Sequence, residues 1–109
     1  MSNDCVFCKI IKGEIPSKLI KENDYCIVFN DLNPRAKVHL LVVPKMHIKN
    51  ILEVDSDLMG NILNTIKDIA KDKNLESFRI VNNCGASAGQ SVFHVHFHIL
   101  SDNSLRDSL

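Results

Sequence analysis

His94-Val95-His96-Phe97-His98-Ile99-Leu100 carries three histidines at alternate positions, with apolar residues between them. A two-residue period is typical of a β-strand, in which alternate side chains point to the same face, whereas a helix would turn the middle histidine to the opposite side. The intervening residues are also of types that are enriched in strands. We therefore predict a strand over residues 93–101, with all three imidazoles on one face.

Such a row of imidazoles suits either metal ligation or catalysis, because neutral imidazole does both near neutral pH. The segment just upstream, Asn82-Asn83-Cys84-Gly85-Ala86-Ser87-Ala88-Gly89-Gln90-Ser91, is small, polar and interrupted by glycines. A loop of this composition lets backbone N–H groups approach an anion closely. An anion-binding loop that leads into a histidine-bearing strand favours catalysis.

The rest of the chain predicts an α+β fold with a five-stranded antiparallel meander and the long helix on one face. The long helix follows from apolar residues that recur at helical spacing, opposite a polar face. The predicted elements are a short helix over 5–12 with Asp4 as its N-cap, strands over 19–22, 25–30, 37–44, 78–82 and 93–101, one helical turn over 47–52, and a long helix over 56–73 capped by Asp55 or Ser56.

The length and charge of the chain limit what it does. With 109 residues, we expect a single domain over 1–109 that gains stability from a metal or a partner subunit. The 13 basic and 13 acidic residues are dispersed, so we expect neither a nucleic-acid nor a membrane partner. Without a visible export signal or membrane span, we expect a cytosolic protein with its four cysteines as thiols or metal ligands.

The run Gly89-Gln90-Ser91-Val92-Phe93-His94-Val95-His96-Phe97-His98-Ile99-Leu100 resembles the signature of the histidine triad (HIT) superfamily, His-φ-His-φ-His-φ-φ with φ apolar, and in particular its Hint-like branch. The resemblance implies a HIT-like fold and a homodimer whose two sheets join. It also implies hydrolysis of purine nucleoside 5′-phosphoramidates, with an AMP-like purine nucleotide as substrate. It extends over Phe7-Cys8-Lys9-Ile10-Ile11, Glu14-Ile15-Pro16, Phe29-Asn30-Asp31-Leu32-Asn33-Pro34 and Val38-His39-Leu40-Leu41-Val42-Val43-Pro44-Lys45-Met46-His47-Ile48.

The resemblance implies that His96 is the nucleophile and that it forms a covalent nucleotidyl-histidine, which water then cleaves. An imidazole attacks phosphorus when one ring nitrogen has a free lone pair and the other is held protonated by an acceptor. His98 and Ser91 are placed to manage the leaving-group proton and the phosphate oxygens, although Ser91 could also be a hydroxyl that bonds local backbone. His39 could orient an imidazole, or be a buried, hydrogen-bonded histidine, and the two interpretations are compatible.

Nucleotide-binding positions also come from the resemblance. Asn83 and Ser91 match phosphate-contacting positions, and the N–H of Gly89 and the Gln90 region would add donors. Asp31 matches an acid that binds the ribose hydroxyls, with a simple turn former as the alternative. The matched positions that imply an apolar slot for the purine, and that would otherwise be assigned to the core, are Phe7, Ile10, Ile15 and Leu32.

The pair Cys5-Val6-Phe7-Cys8 could by itself be a redox dithiol, a metal clamp or two core cysteines. With two downstream imidazoles, the thiolates would form a closed, structural, tetrahedral Zn²⁺ site. His47 is the third ligand that we predict. For the fourth, superfamily members with this cysteine pair imply His94, and His98 is the rival.

The chain departs from some Hint proteins after Leu100, where it lacks a Gly-Gly pair and a Trp-containing tail that helps shape the leaving-group pocket. The preferred amine and the choice between adenine and guanine therefore stay open. Two other functions compete with phosphoramidate hydrolysis. One is hydrolysis of dinucleoside polyphosphates, as in the Fhit branch, and the other is a nucleotide-binding or partner-binding module with vestigial turnover.

Overall fold

Five antiparallel strands form one sheet in the computed structural model, which describes residues 4–107. The α+β fold predicted from the sequence is confirmed. The strand order is β1-β2-β3-β5-β4, so the meander covers the first three strands, and β5 lies between β3 and β4. The elements are α1 (Val6–Ile11), β1 (Leu19–Glu22), β2 (Cys26–Asn30), β3 (Val38–Pro44), α2 (Ser56–Asp72), β4 (Arg79–Val81) and β5 (Phe97–Ser101).

The central strand β3 is buried on both faces, which explains its almost continuous apolar sequence. Leu40 and Val42 belong to the core cluster that contains the inner residues of α2. Leu41 and Val43 face the other way, into the cluster that contains Phe7 of α1. Alternate residues of one strand thus join the two core clusters.

The long helix α2 begins where the sequence predicts, because the Asp55 carboxylate accepts a hydrogen bond from the Leu58 N–H at 2.8 Å. Its buried side chains are Ile62, Thr65, Ile66 and Ile69, which recur at helical spacing. Within residues 4–107, neither α2 nor any other helix has the length and apolar character to cross a membrane.

The start of β5 corrects the predicted strand over 93–101. Strand β5 begins only at Phe97, so His98 lies on the strand whereas His94 and His96 precede it. In the register that pairs Phe97 with Val42, Pro44 would face Val95. Because proline has no N–H, the ladder ends there, and the Val95 N–H donates instead to Ile48 O at 2.7 Å.

Two other local predictions are wrong. The N-cap of α1 is Cys5, whose sulfur accepts from the Cys8 N–H at 3.4 Å, and not Asp4. The helical turn expected over 47–52 is a 3₁₀ turn at Ile51–Glu53, because the Asn50 side chain accepts from the Leu52 N–H and starts the turn there.

Candidate functional site

Two cysteines of the N-terminal turn meet two histidines from distant parts of the chain. The Cys5 sulfur lies 3.4 Å from His94 Nδ1, and the Cys8 sulfur lies 3.1 Å from His47 Nδ1 and 3.6 Å from His94 Nδ1. The two Nδ1 atoms are 3.2 Å apart. All four ligand atoms lie within 4.8 Å of one another, so the structure brings together the four residues predicted to bind zinc.

The geometry and protonation of this cluster suit a Zn²⁺ ion. Tetrahedral bonds of about 2.3 Å to sulfur and 2.0 Å to nitrogen place ligand atoms roughly 3.3–3.8 Å apart, close to the separations found. His94 Nε2 lies 2.7 Å from Pro44 O. Because a carbonyl oxygen only accepts, Nε2 carries the proton and Nδ1 directs its lone pair into the cluster. Burial also lowers the pKa of His94, which favours the neutral, ligating form.

Burial, together with the neighbouring Cys5, raises the pKa of Cys8. A metal that binds here must therefore displace a thiol proton. His98, the rival for the fourth ligand, lies in a separate cluster, because its Nδ1 contacts His39 Nε2 at 2.9 Å.

His96, next to the cluster of Cys5, Cys8, His47 and His94, has the protonation state that a nucleophile needs. Its Nδ1 lies 2.8 Å from His94 O, so Nδ1 carries a proton that it donates to the carbonyl. The Nε2 lone pair is therefore available. Burial lowers the pKa of His96, which keeps the ring neutral near pH 7.

Phe7 packs between the Cys/His cluster and His96. Its ring packs edge-on against the rings of His94 and His96, with centroids 5.8 and 5.0 Å away. Phe29 also packs edge-on against Phe7, with ring centroids 5.9 Å apart. Phe29 belongs to the segment that carries the resemblance, which is the signal in the sequence that could have identified it.

A second polar cluster joins β3, β5 and the loop after β2. The Arg35 N–H donates to His39 Nδ1 at 3.0 Å, so the proton of the neutral His39 ring is on Nε2. That Nε2–H faces His98 Nδ1 at 2.9 Å and Asp31 Oδ2 at 3.4 Å. His98 Nδ1 is then the acceptor, and the His98 proton is on Nε2.

This second cluster does not suit a metal ion, although its ligand atoms converge. A metal on His39 Nε2 would have to replace the proton there while Nδ1 keeps its bond to the Arg35 N–H, which would leave an imidazolate. Burial lowers the pKa of His98 to about 4, with smaller contributions from the His96 and His39 rings. His98 is thus a neutral hydrogen-bond donor near pH 7, and its ring centroid lies 5.3 Å from that of His96.

The loop before the histidines is closed by its own hydrogen bonds. The Gly89 N–H donates to Ala86 O and the Gln90 N–H to Gly85 O, each at 3.0 Å. Gly89 has a φ of 97°, a conformation that favours glycine, and the Asn83 amide donates to Ala88 O at 2.8 Å. The predicted phosphate donors Asn83, Gly89 and Gln90 therefore shape the loop in this conformation.

Ser91 differs from its neighbours in this loop, because its hydroxyl makes no hydrogen bond to any residue within 4–107. The alternative interpretation of Ser91 as a hydroxyl satisfied by local backbone is therefore not what the structure shows. The side chain is exposed and lines a cleft of about 490 Å³ together with Lys49, Phe93 and His47. The hydroxyl is available to a ligand.

The remaining predicted nucleotide-binding residues differ in exposure. Ile10 and Ile15 are half-buried, and Leu32 is 93% exposed. Asp31 does form a turn, because its Oδ1 accepts from the Asn33 N–H at 2.8 Å, while Oδ2 faces the imidazoles. The structure thus places Leu32 beside Asp31 without packing it against the core.

Comparison with known proteins identifies a family model, relatives and solved structures that match this chain. The HIT domain family model matches residues 12–105. An uncharacterized HIT-like protein of Synechococcus elongatus is 45% identical over 109 residues, covering 96% of each chain. A solved HIT family hydrolase from Legionella pneumophila is 40% identical with a TM-score of 0.85, covering 90% of this chain and 92% of that one. A histidine triad nucleotide-binding protein from Candida albicans is 36% identical with a TM-score of 0.83, covering 88% and 73%.

The α+β fold of this chain is the fold of these solved structures. This chain belongs to the HIT domain family, and its fold is that of proteins described as HIT family hydrolases.

Proposed function

We propose that the protein hydrolyses purine nucleoside 5′-phosphoramidates through a covalent nucleotidyl-His96 intermediate. The observation that carries the proposal is the His96 Nδ1–H bond to His94 O, which leaves a lone pair on Nε2 of a neutral ring. The descriptions of its relatives as a hydrolase and as a nucleotide-binding protein support a nucleotide as the substrate.

In the first step, His96 Nε2 attacks phosphorus and forms a P–N bond, while the P–N bond to the amine breaks. The electron pair leaves with the amine nitrogen, which takes up a proton that the Ser91 hydroxyl relays from solvent. The Nδ1–H bond to His94 O stabilises the positive charge that develops on the ring.

His98 acts in this step as a hydrogen-bond donor through Nε2–H and holds a phosphate oxygen. Its low pKa makes the imidazolium rare near pH 7, and a neutral imidazole is too weak an acid to protonate the amine. In this assignment, the Ser91 hydroxyl supplies the proton to the amine, and His98 stabilises the negative charge on the phosphate.

In the second step, water attacks phosphorus and releases a proton to solvent through the Ser91 hydroxyl, while the P–N bond to His96 breaks and its electron pair returns to Nε2. The products are a nucleoside 5′-monophosphate and the regenerated enzyme. We propose that Asp31 binds the ribose hydroxyls and that Asn83, Gly89 and Gln90 form the phosphate site. The Asn83 amide would donate its second N–H to the phosphate, since the first is bonded to Ala88 O, and Gly89 and Gln90 would hold the loop that positions it. The proposed purine slot consists of Phe7, Ile10, Ile15 and Leu32.

We propose that Cys5, Cys8, His47 and His94 hold one structural Zn²⁺ ion. Bound there, the metal would supply a cross-link and no chemistry on the substrate. It would tie α1 to the irregular segment before β5, which contains the nucleophile and lacks the support of the sheet ladder.

We further propose that residues 1–109 form one HIT-like domain that pairs into a homodimer through the edge strand β4. Ile80, in the middle of β4, is 45% exposed, and β4 pairs only with β5 among the described residues. A strand at the edge of a sheet is a template for pairing with a second sheet. The four cysteines, all free, support a cytosolic location.

The proposal is tested by steady-state hydrolysis of adenosine 5′-phosphoramidate by the wild type and by His96→Ala, with diadenosine tetraphosphate as a second substrate. We expect the wild type to prefer the phosphoramidate and the variant to lose several orders of magnitude in rate. If only the dinucleotide is cleaved, His96 remains the proposed nucleophile and dinucleoside polyphosphates become the substrate class. If nucleotide binds but no substrate is cleaved, the protein is a binding module rather than an enzyme.

A further inference from the structure

Two acceptors share one proton donor in the cluster of Asp31, His39 and His98. His39 Nε2–H lies 2.9 Å from His98 Nδ1 and 3.4 Å from Asp31 Oδ2. The Arg35 N–H occupies His39 Nδ1, so His39 neither takes a second proton there nor turns its ring without losing that bond. A single N–H does not point straight at two acceptors, so the bond to His98 competes with the attraction of the carboxylate.

One oxygen of the Asp31 carboxylate is available to a ligand. Asp31 Oδ1 accepts from the Asn33 N–H at 2.8 Å and belongs to the turn. Oδ2 faces His39 and lies 3.9 Å from His98 Nδ1. It is therefore the oxygen that is left for a ligand, and any hydroxyl that donates to it reduces its attraction for the His39 proton.

We propose that the ribose hydroxyls of the substrate, by donating to Asp31 Oδ2, direct the His39 Nε2–H wholly to His98. The straightened bond fixes the His98 ring and polarises its Nε2–H, the donor that holds a phosphate oxygen. The ribose hydroxyls then accelerate the chemical step as well as contribute to binding. His39 and Asp31 are positioning residues for that step. This inference rests on the proposed function, because it takes Asp31 as the ribose contact and His98 as the phosphate donor.

The kinetic experiment compares adenosine 5′-phosphoramidate with its 2′,3′-dideoxy analogue. For the wild type, we expect removal of the hydroxyls to lower kcat by about tenfold, the effect of one weakened hydrogen bond, in addition to raising KM. A dideoxy penalty confined to KM would overturn the inference.

Asp31→Asn supplies the critical variant. The amide oxygen keeps the bond to the Asn33 N–H, which turns the NH₂ group toward His39 in place of Oδ2. His39 Nε2–H then has one acceptor, so we expect the kcat ratio between ribose and dideoxy substrates to fall to about one. As a matched control, Asp102 accepts from the Ser104 N–H through Oδ1 and from the Lys37 N–H through Oδ2 and contacts no imidazole among the described residues, so Asp102→Asn should keep the tenfold ratio. A ratio that stays near ten in Asp31→Asn would contradict the proposal.

A binding experiment tests the same coupling without turnover. In ¹⁵N-histidine NMR spectra, with His39→Gln used for assignment, AMP should move the His39 Nε2–H proton downfield, whereas 2′,3′-dideoxy-AMP should not. Equal shifts with both nucleotides would overturn the inference. If the phosphoramidate is not hydrolysed at all, the proposed function fails, and the NMR result by itself decides whether sugar binding controls the His39 proton.

Discussion

Gln90 holds the loop in front of the histidines in place, and its removal should cost much of the stability of the protein. The side chain is 4% exposed and makes three hydrogen bonds. Its oxygen accepts from the Gly85 N–H at 2.8 Å, and its amide donates to Lys49 O at 2.8 Å and to Val92 O at 3.0 Å. It thus links the loop to the segment that follows β3.

For Gln90→Ala, we expect the free energy of unfolding to fall by about 2–4 kcal/mol, from roughly 0.5–1 kcal/mol for each of the three lost bonds plus about 0.8 kcal/mol for the buried stem. For a domain of this size, that loss corresponds to a decrease in Tm of about 10–15 °C. Gln90→Glu should be destabilised at least as much at pH 7.5, because a buried carboxylate would face two carbonyl oxygens.

The assay is thermal and urea unfolding at one fixed protein concentration, so that any dimerisation contributes equally. Ser87→Ala, an exposed position in the same loop, serves as the control and should change the stability by less than about 0.5 kcal/mol. A decrease in Tm for Gln90→Ala of only about 3 °C or less would refute the reasoning that these three bonds close the loop.

Three further predictions concern the metal, the protonation of His98 and the dimer. Protein purified without chelator should contain about one zinc per chain, and Cys8→Ser, but not Cys84→Ser, should lose it in metal analysis. An NMR titration should show His98 gaining a proton only near pH 4, whereas the pKa of an unfolded histidine is about 6.5. The stability that His98 contributes should therefore be fully present above pH 6.5 and be lost progressively as the pH falls toward 4. A titration midpoint near 6.5 in the folded protein would contradict the assigned protonation. Ile80→Lys should shift sedimentation from dimer to monomer, and a wild type that stays monomeric at all concentrations would exclude pairing through β4.

The fold was largely predictable from the sequence, because burial of one or two faces of a helix or strand requires apolar residues at the spacing of that element. The continuous apolar run of β3, the helical spacing in α2 and the Asp55 cap all produced correct elements. The start of β5 was not predictable from its own residues. It depends on the partner strand, where Pro44 has no N–H to continue the ladder.

The candidate site was also predictable only in part. The types and spacing of the cysteines and histidines indicated which residues to examine, and the structure brings Cys5, Cys8, His47 and His94 together. The choice between His94 and His98 as fourth ligand, however, depends on a contact across the sheet, since His39 occupies His98 Nδ1. A pattern along one strand contains no information about that neighbour.

The sequence by itself determined the elements of the fold, the family signature and the set of residues that carry chemistry, because these depend on side-chain type and period. Only the tertiary structure decided which nitrogen of each ring holds its proton. That choice depends on Pro44 O for His94, on His94 O for His96 and on the Arg35 N–H for His39. These partners are backbone groups that nearly every residue possesses, so no sequence pattern marks them, and only the folded chain brings them to the rings.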